Sequence, residues 1–130
     1  GAGPLIGILS AFKSNPEVAW LVTACDLPLL DIDTLHYLIE NRDSAAIATT
    51  FKSPHDNLPE PLITIWEPSS FERLQTHIAD GYTCPRKALI RNEAKVKMLT
   101  PPNPDALINA NTPDDAQRVV EILQNMGKPL

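Results

Sequence analysis

The sequence predicts an α/β protein of three layers, with helices on both faces of a mostly parallel sheet. Short, continuous apolar runs rich in β-branched residues, such as VAWLVTAC (18–25), read as strands covered on both faces. They alternate with segments whose apolar residues recur at helical spacing. The chain has 130 residues and 43% hydrophobic content, which suits one soluble domain around one core.

The elements follow in order. GPLIGILSAFKSNP (3–16) reads as a glycine turn feeding a helix, with Leu5, Ile8, Leu9 and Phe12 at helical spacing. Pro4 suits an early helix position, and Asn15 and Pro16 end the helix. VAWLVTAC is the first strand. DIDTLHYLIEN (31–41) begins on an acid cap and puts Leu35, Leu38 and Ile39 on one face. SAAIATTF (44–51) is a strand, KSPHDNLPEP (52–61) a loop and LITIW (62–66) the next strand. PSSFERLQTHIADG (68–81) is a helix capped by serine and closed by Gly81. CPRKALIRNE (84–93) is a shorter helix, and AKVKML (94–99) an alternating strand. TPDDAQRVVEILQNMG (112–127) is the last helix, with Thr112 as cap, Pro113 at the first position and Gly127 at the close.

Composition narrows the function. A net charge of −5 argues against nucleic acid as a partner, because phosphate backbones attract basic faces. It leaves room for a small polyphosphate, since a divalent metal reverses the local sign. No apolar run has the length of a membrane span, and no signal-peptide pattern opens the chain. Two cysteines, Cys25 and Cys84, make no disulfide framework, so the reading is cytoplasmic. The prolines cluster in connections, which implies well-defined loops.

Several motifs carry chemistry, each beside a plainer reading. Asp26 follows the first strand, and ligands in open α/β sheets sit at the carboxyl ends of the strands. A carboxylate there either holds Mg²⁺ or caps the turn before Pro28. GPLIG (3–7) places backbone N–H groups at a helix start, where they face an anion or a base edge, or serve only turning and packing. NANTPDD (109–115) offers Asn109 and Asn111 as metal, ribose or phosphate ligands, or as an ordinary capping loop. Arg86, Lys87 and Arg91 either bind phosphate or form a solvated helix face. None of His36, His55 and His77 has a partner at catalytic spacing.

The order of these motifs is more telling than each alone. GPLIGI (3–8), VTACDLPLL (22–30), EPLITIWEP (60–68) and NANTPDD together resemble the molybdenum cofactor guanylyltransferases, the MobA-like nucleotidyltransferases, over nearly the whole chain. The resemblance implies a Rossmann-like nucleotidyltransferase fold of the GT-A-like type. It implies transfer of GMP from Mg-GTP to molybdopterin with release of pyrophosphate. Asp26 matches the metal-binding, catalytic aspartate and contacts the nucleotide phosphates through Mg²⁺. Gly3, Pro4 and Leu5 match the loop beside the nucleoside. Asn111 joins Asp26 at the metal. Asn109 and Asn111, with Glu60 and Pro61, border the cofactor-substrate pocket. Other readings stay open: a cytidylyl- or other nucleotidyltransferase of the same superfamily, or a non-catalytic binding or regulatory module.

The family's glycine-rich phosphate loop, of the form G-G-x-S-x-R-M-G-x-D-K, has no match in residues 1–130. The chain therefore reads as one domain, the C-terminal part of a MobA-like domain, truncated at its N-terminal side. By itself it is expected to be inactive. A homodimer or domain-swapped assembly is expected to cover the missing strands.

Overall fold

The computed structural model describes residues 3–23 and 27–108. The elements run α1 (Gly3–Ser14), β1 (Trp20–Thr23), α2 (Ile32–Glu40), β2 (Ala48–Lys52), β3 (Pro59–Trp66), α3 (Ser70–Ala79), α4 (Pro85–Arg91) and β4 (Val96–Leu99). Short 3₁₀ turns cover Glu93–Lys95 and Pro104–Leu107. The helix expected over 112–127 and Cys25 lie outside the described residues.

The sheet order is β1-β3-β2-β4. Here the expectation of a mostly parallel sheet fails. β3 runs antiparallel to both β1 and β2, and only β2 and β4 pair in parallel. β1, β2 and β4 do run in one direction, with the reversed β3 set between β1 and β2. The cause is the connection between β2 and β3. A parallel crossover takes about a dozen residues or more and usually a helix. Residues 53–58 form only a hairpin loop, closed by Ser53 N–H donating to Leu58 O at 2.7 Å, with Asn57 at φ 60°.

Both faces of the sheet are covered, so the three layers hold. On one face α1, α3 and α4 pack through Leu5, Phe12, Leu74 and Leu89 against Ala48 and Trp66. On the other, Leu38 of α2 and Leu107 join Phe51, Ile63 and Leu99. β1 is not covered as fully as its apolar run suggests: it flanks the sheet, and Leu21 is 41% exposed.

Local signals explain the helix ends. Asp31 caps α2, its Oδ1 accepting from Thr34 N–H at 2.7 Å. Leu38 is buried there while Ile39 faces outward. Ser69 makes no side-chain cap on α3; the Ser70 hydroxyl donates instead to Glu67 O at 2.7 Å. Gly81, at φ +91°, follows α3 in the left-handed conformation that favours glycine. GPLIG is not a loop: it is the first turns of α1, and Gly7 sits inside the helix.

One ion pair locks the edge of the sheet where β2 begins. Glu67 is 1% exposed, and Arg42 grips both its carboxylate oxygens at 2.7 Å. The fork geometry is the strong form of this contact.

Candidate active site at the carboxyl edge of the sheet

Because β1, β2 and β4 run the same way, the sheet has a shared carboxyl edge. Four segments singled out in the sequence meet it. β1 ends there at Thr23, opposite Ile63, and Asp26 follows outside the described residues. β3 begins there, since Pro59 pairs with Lys52 at the end of β2. β4 ends there at Leu99, paired with Phe51, and the chain runs on through the Pro104–Leu107 turn toward Asn109 and Asn111, also outside the described residues. The fourth segment is the start of α1. Phe12 stacks on Phe71 at the beginning of α3, and Trp20 Nε1 donates to Asn15 O, so the end of α1 lies at the opposite edge. A helix of 12 residues is about 18 Å long, which carries Gly3 back to the carboxyl edge. Leu5 itself is fully buried in the core, backbone included, so it anchors the start of the helix and does not face the edge as a ligand contact.

Glu60 and Pro61 occupy a break in the β2–β3 ladder. Thr50 pairs with Thr64, but Lys52 pairs with Pro59, so the intervening residues of β3 bulge. Pro61 has no N–H to give the ladder, and prolines within sheets settle at such irregularities. The bulge turns the Glu60 carbonyl onto two buried hydroxyls, Thr50 at 2.7 Å and Thr64 at 2.8 Å, which also contact each other at 2.9 Å. Bulges of this kind re-aim side chains beside functional sites.

The Glu60 side chain is 7% exposed. Leu62 N–H donates to its Oε1 at 3.0 Å, and Arg86 Nη2 stands 3.6 Å from Oε2. Arg86 Nη1 lies 3.8 Å from Asp56 in the hairpin loop. Burial pushes the Glu60 carboxyl above its ordinary pKa, although Leu62 and Arg86 pull the other way. At the same edge Thr34, and after it Asn103, hold the Asp31 carboxyl below its ordinary value; Asn103 Nδ2 donates to Asp31 Oδ2 at 3.3 Å. The basic cluster of α4 divides. Arg86 turns to the edge, Lys87 lies over the Tyr82 ring, and Arg91 binds Asp80 and His77. The reach of Arg86 to Glu60 across elements has no local signal in the sequence.

Magnesium takes oxygen ligands, often one or two carboxylates with substrate phosphates. Among the described residues no group of three or more His, Cys, Asp or Glu side chains is placed to hold a metal. Asp31, Asp56 and Glu60 already accept from Thr34, Leu58 and Leu62 N–H respectively. Asp26 and Asn111, the residues expected at the metal, lie outside the described residues.

A three-layer sheet with a polar, bulged carboxyl edge has the architecture of the Rossmann-like nucleotidyltransferases. Residues 1–96 match the MobA-like NTP transferase domain, and the chain belongs to that family. It is similar to the probable molybdenum cofactor guanylyltransferase of Carboxydothermus hydrogenoformans, with 30% identity over 129 residues, covering 94% of this chain and 63% of that one. It is 31% identical over 113 residues to the molybdenum cofactor biosynthesis bifunctional protein of Synechocystis sp., covering 87% of this chain and 32% of that one. The crystal structure of molybdopterin-guanine dinucleotide biosynthesis protein A from Archaeoglobus fulgidus has the same fold, with a TM-score of 0.70 at 24% identity, over 93% of this chain and 63% of that one. The chain thus spans less than two thirds of each of these relatives. Among the described residues no helix is long and apolar enough to cross a membrane.

Proposed function

We propose that this protein is a molybdenum cofactor guanylyltransferase that works at the carboxyl edge. One observation carries the reading: the start of α1, the exit of β1, the start of β3 and the exit of β4 meet at that edge, and the segments that resemble the family lie on these elements or follow them in sequence. Relatives named as guanylyltransferases support it. An acceptor oxygen of molybdopterin forms a bond to the α-phosphorus of GTP. The bond from that phosphorus to the bridging oxygen breaks, and pyrophosphate leaves with the electron pair.

The residues take these parts. The backbone of Gly3 and Pro4 lies along the nucleoside, with the buried Leu5 anchoring the helix start behind them. Asp26 and Asn111 would hold magnesium, which would supply neutralisation of phosphate charge. Asn109, with Glu60 and Pro61, borders the molybdopterin pocket. The bulge fixes Glu60 on Thr50 and Thr64, and burial gives its carboxyl a proton-holding tendency that suits a polar pterin edge. Positioning and charge neutralisation suffice for such transfer, with no covalent enzyme intermediate. β1 stands at the end of the sheet with Leu21 partly exposed, and a further strand, from this protein or a second copy, pairs there; light scattering separates the two.

The test is nucleotidyl transfer to molybdopterin by the full-length protein with GTP, CTP and ATP side by side. Transfer from GTP is expected to dominate. Transfer from CTP would make it a cytidylyltransferase, and transfer from none a binding module.

A further inference from the structure

The solvent side of the α3–α4 pair carries a cleft of about 300 Å³ that shares no residue with the carboxyl edge. Its apolar neighbours Leu74, Ala88 and Leu89 face the sheet, so the walls are the polar sides of both helices. Arg73 and Thr76 of α3 and Arg91 of α4 all line it. Arg73 has no carboxylate at ion-pair distance among the described residues. It is positioned by an amide instead: Arg73 Nη1 donates to Asn92 Oδ1 at 2.9 Å. Asn92 is fixed in turn, its Nδ2 donating to Ala88 O at 2.8 Å.

Arg91 is held just as firmly. It donates to His77 Nδ1 at 3.0 Å and to Asp80 at 2.9 Å, and its guanidinium lies 4.4 Å from the Tyr82 ring centre. A guanidinium has five N–H donors in a fixed fork, so both arginines keep donors beyond these contacts. Two anchored guanidinium groups on one cleft suit a bidentate oxygen ligand and lose little freedom on binding it. Glu72 also lines the cleft and opposes an anion, but it pairs with neither arginine.

We propose that this cleft binds a small oxyanion, the phosphoryl or carboxylate group of a small molecule, between Arg73 and Arg91. The experiment is a ¹H–¹⁵N titration of the 130-residue chain at constant ionic strength with inorganic phosphate and, separately, acetate. Saturable shifts at the Arg73 and Arg91 Nε–H groups and at the amides of Thr76 and Asn92 are expected. Arg73→Gln should weaken the affinity about tenfold, the loss of one charge-assisted contact. Arg73→Lys should fall between the two, Glu72→Gln should bind more tightly than the parent, and Lys97→Gln, on β4, should match the parent. The spectra themselves report whether each variant is folded. Saturation by phosphate alone supports a phosphoryl ligand; saturation by both supports the wider oxyanion class. Shifts that rise linearly with both anions, or an Arg73→Gln chain that binds as tightly as the parent, would overturn the proposal.

Discussion

Arg42→Ala removes the guanidinium that holds Glu67, whose two carboxylate oxygens each receive a 2.7 Å hydrogen bond from it. Glu67 is 1% exposed, so the variant leaves a buried carboxylate without its donor. Breaking a fully buried pair costs about 3–5 kcal/mol. The Arg42 side chain is 42% exposed, so water enters where it stood and screens part of the charge. The loss is therefore expected at about 2–3 kcal/mol. In a domain of this size that lowers the melting temperature by about 6–15 °C. Urea unfolding at pH 7 measures it. The double variant Arg42→Ala, Glu67→Leu strands no charge and should regain at least half of the loss, because removing both partners avoids the desolvation penalty. A single variant within about 0.5 kcal/mol of the parent, the range of ordinary surface changes, would refute the reasoning. So would a double variant no more stable than the single.

Other outcomes follow from the same structure. Burial, and then Arg91, hold the His77 pKa below its ordinary value, so the folded state keeps His77 neutral. The stability it confers is present above about pH 6.5 and is lost as the pH falls; His77→Gln should flatten the fall in urea midpoint between pH 7 and 5. Glu60 has the opposite sign, since its pKa is raised: its contribution is present below about pH 4.3 and is lost as the pH rises through the folded value. Glu60→Gln should therefore gain stability relative to the parent at pH 7 and lose that advantage by pH 4. The two glycines should respond oppositely to alanine. Gly7 lies inside α1 with nothing within 4 Å of an added Cβ, so Gly7→Ala should stabilise by about 0.5–1 kcal/mol. Gly81 has equal room but φ +91°, so Gly81→Ala should cost about 1–2 kcal/mol in the same assay.

Much of the fold was legible because local chemistry fixes it. Asp31 capping α2, Gly81 after α3 and the apolar stripe Leu5, Ile8, Leu9, Phe12 are all short-range signals that the structure repeats. Strand direction is a different matter. The apolar content of LITIW does not say which way it runs. The length of the 52–61 loop does, because it is too short for a crossover. The position of β1 beside β3 depends on partners far away in sequence, so its half-exposed Leu21 was not foreseeable from an apolar run. At the site, Pro61 and Glu60 were visible as a motif, but the bulge that seats Glu60 on Thr50 and Thr64, and the reach of Arg86 across from α4, are tertiary facts. GPLIG looked like a loop because two glycines suggest turning; burial of Leu5 overrides that and draws the segment into α1.

The most direct test of the account is a calorimetric titration with GTP in the presence of magnesium, run on the parent and on Asp26→Ala. Saturable binding that is lost in Asp26→Ala is the predicted result, since the account places the phosphates at the carboxyl edge where β1 ends. Equal binding by parent and variant would contradict it.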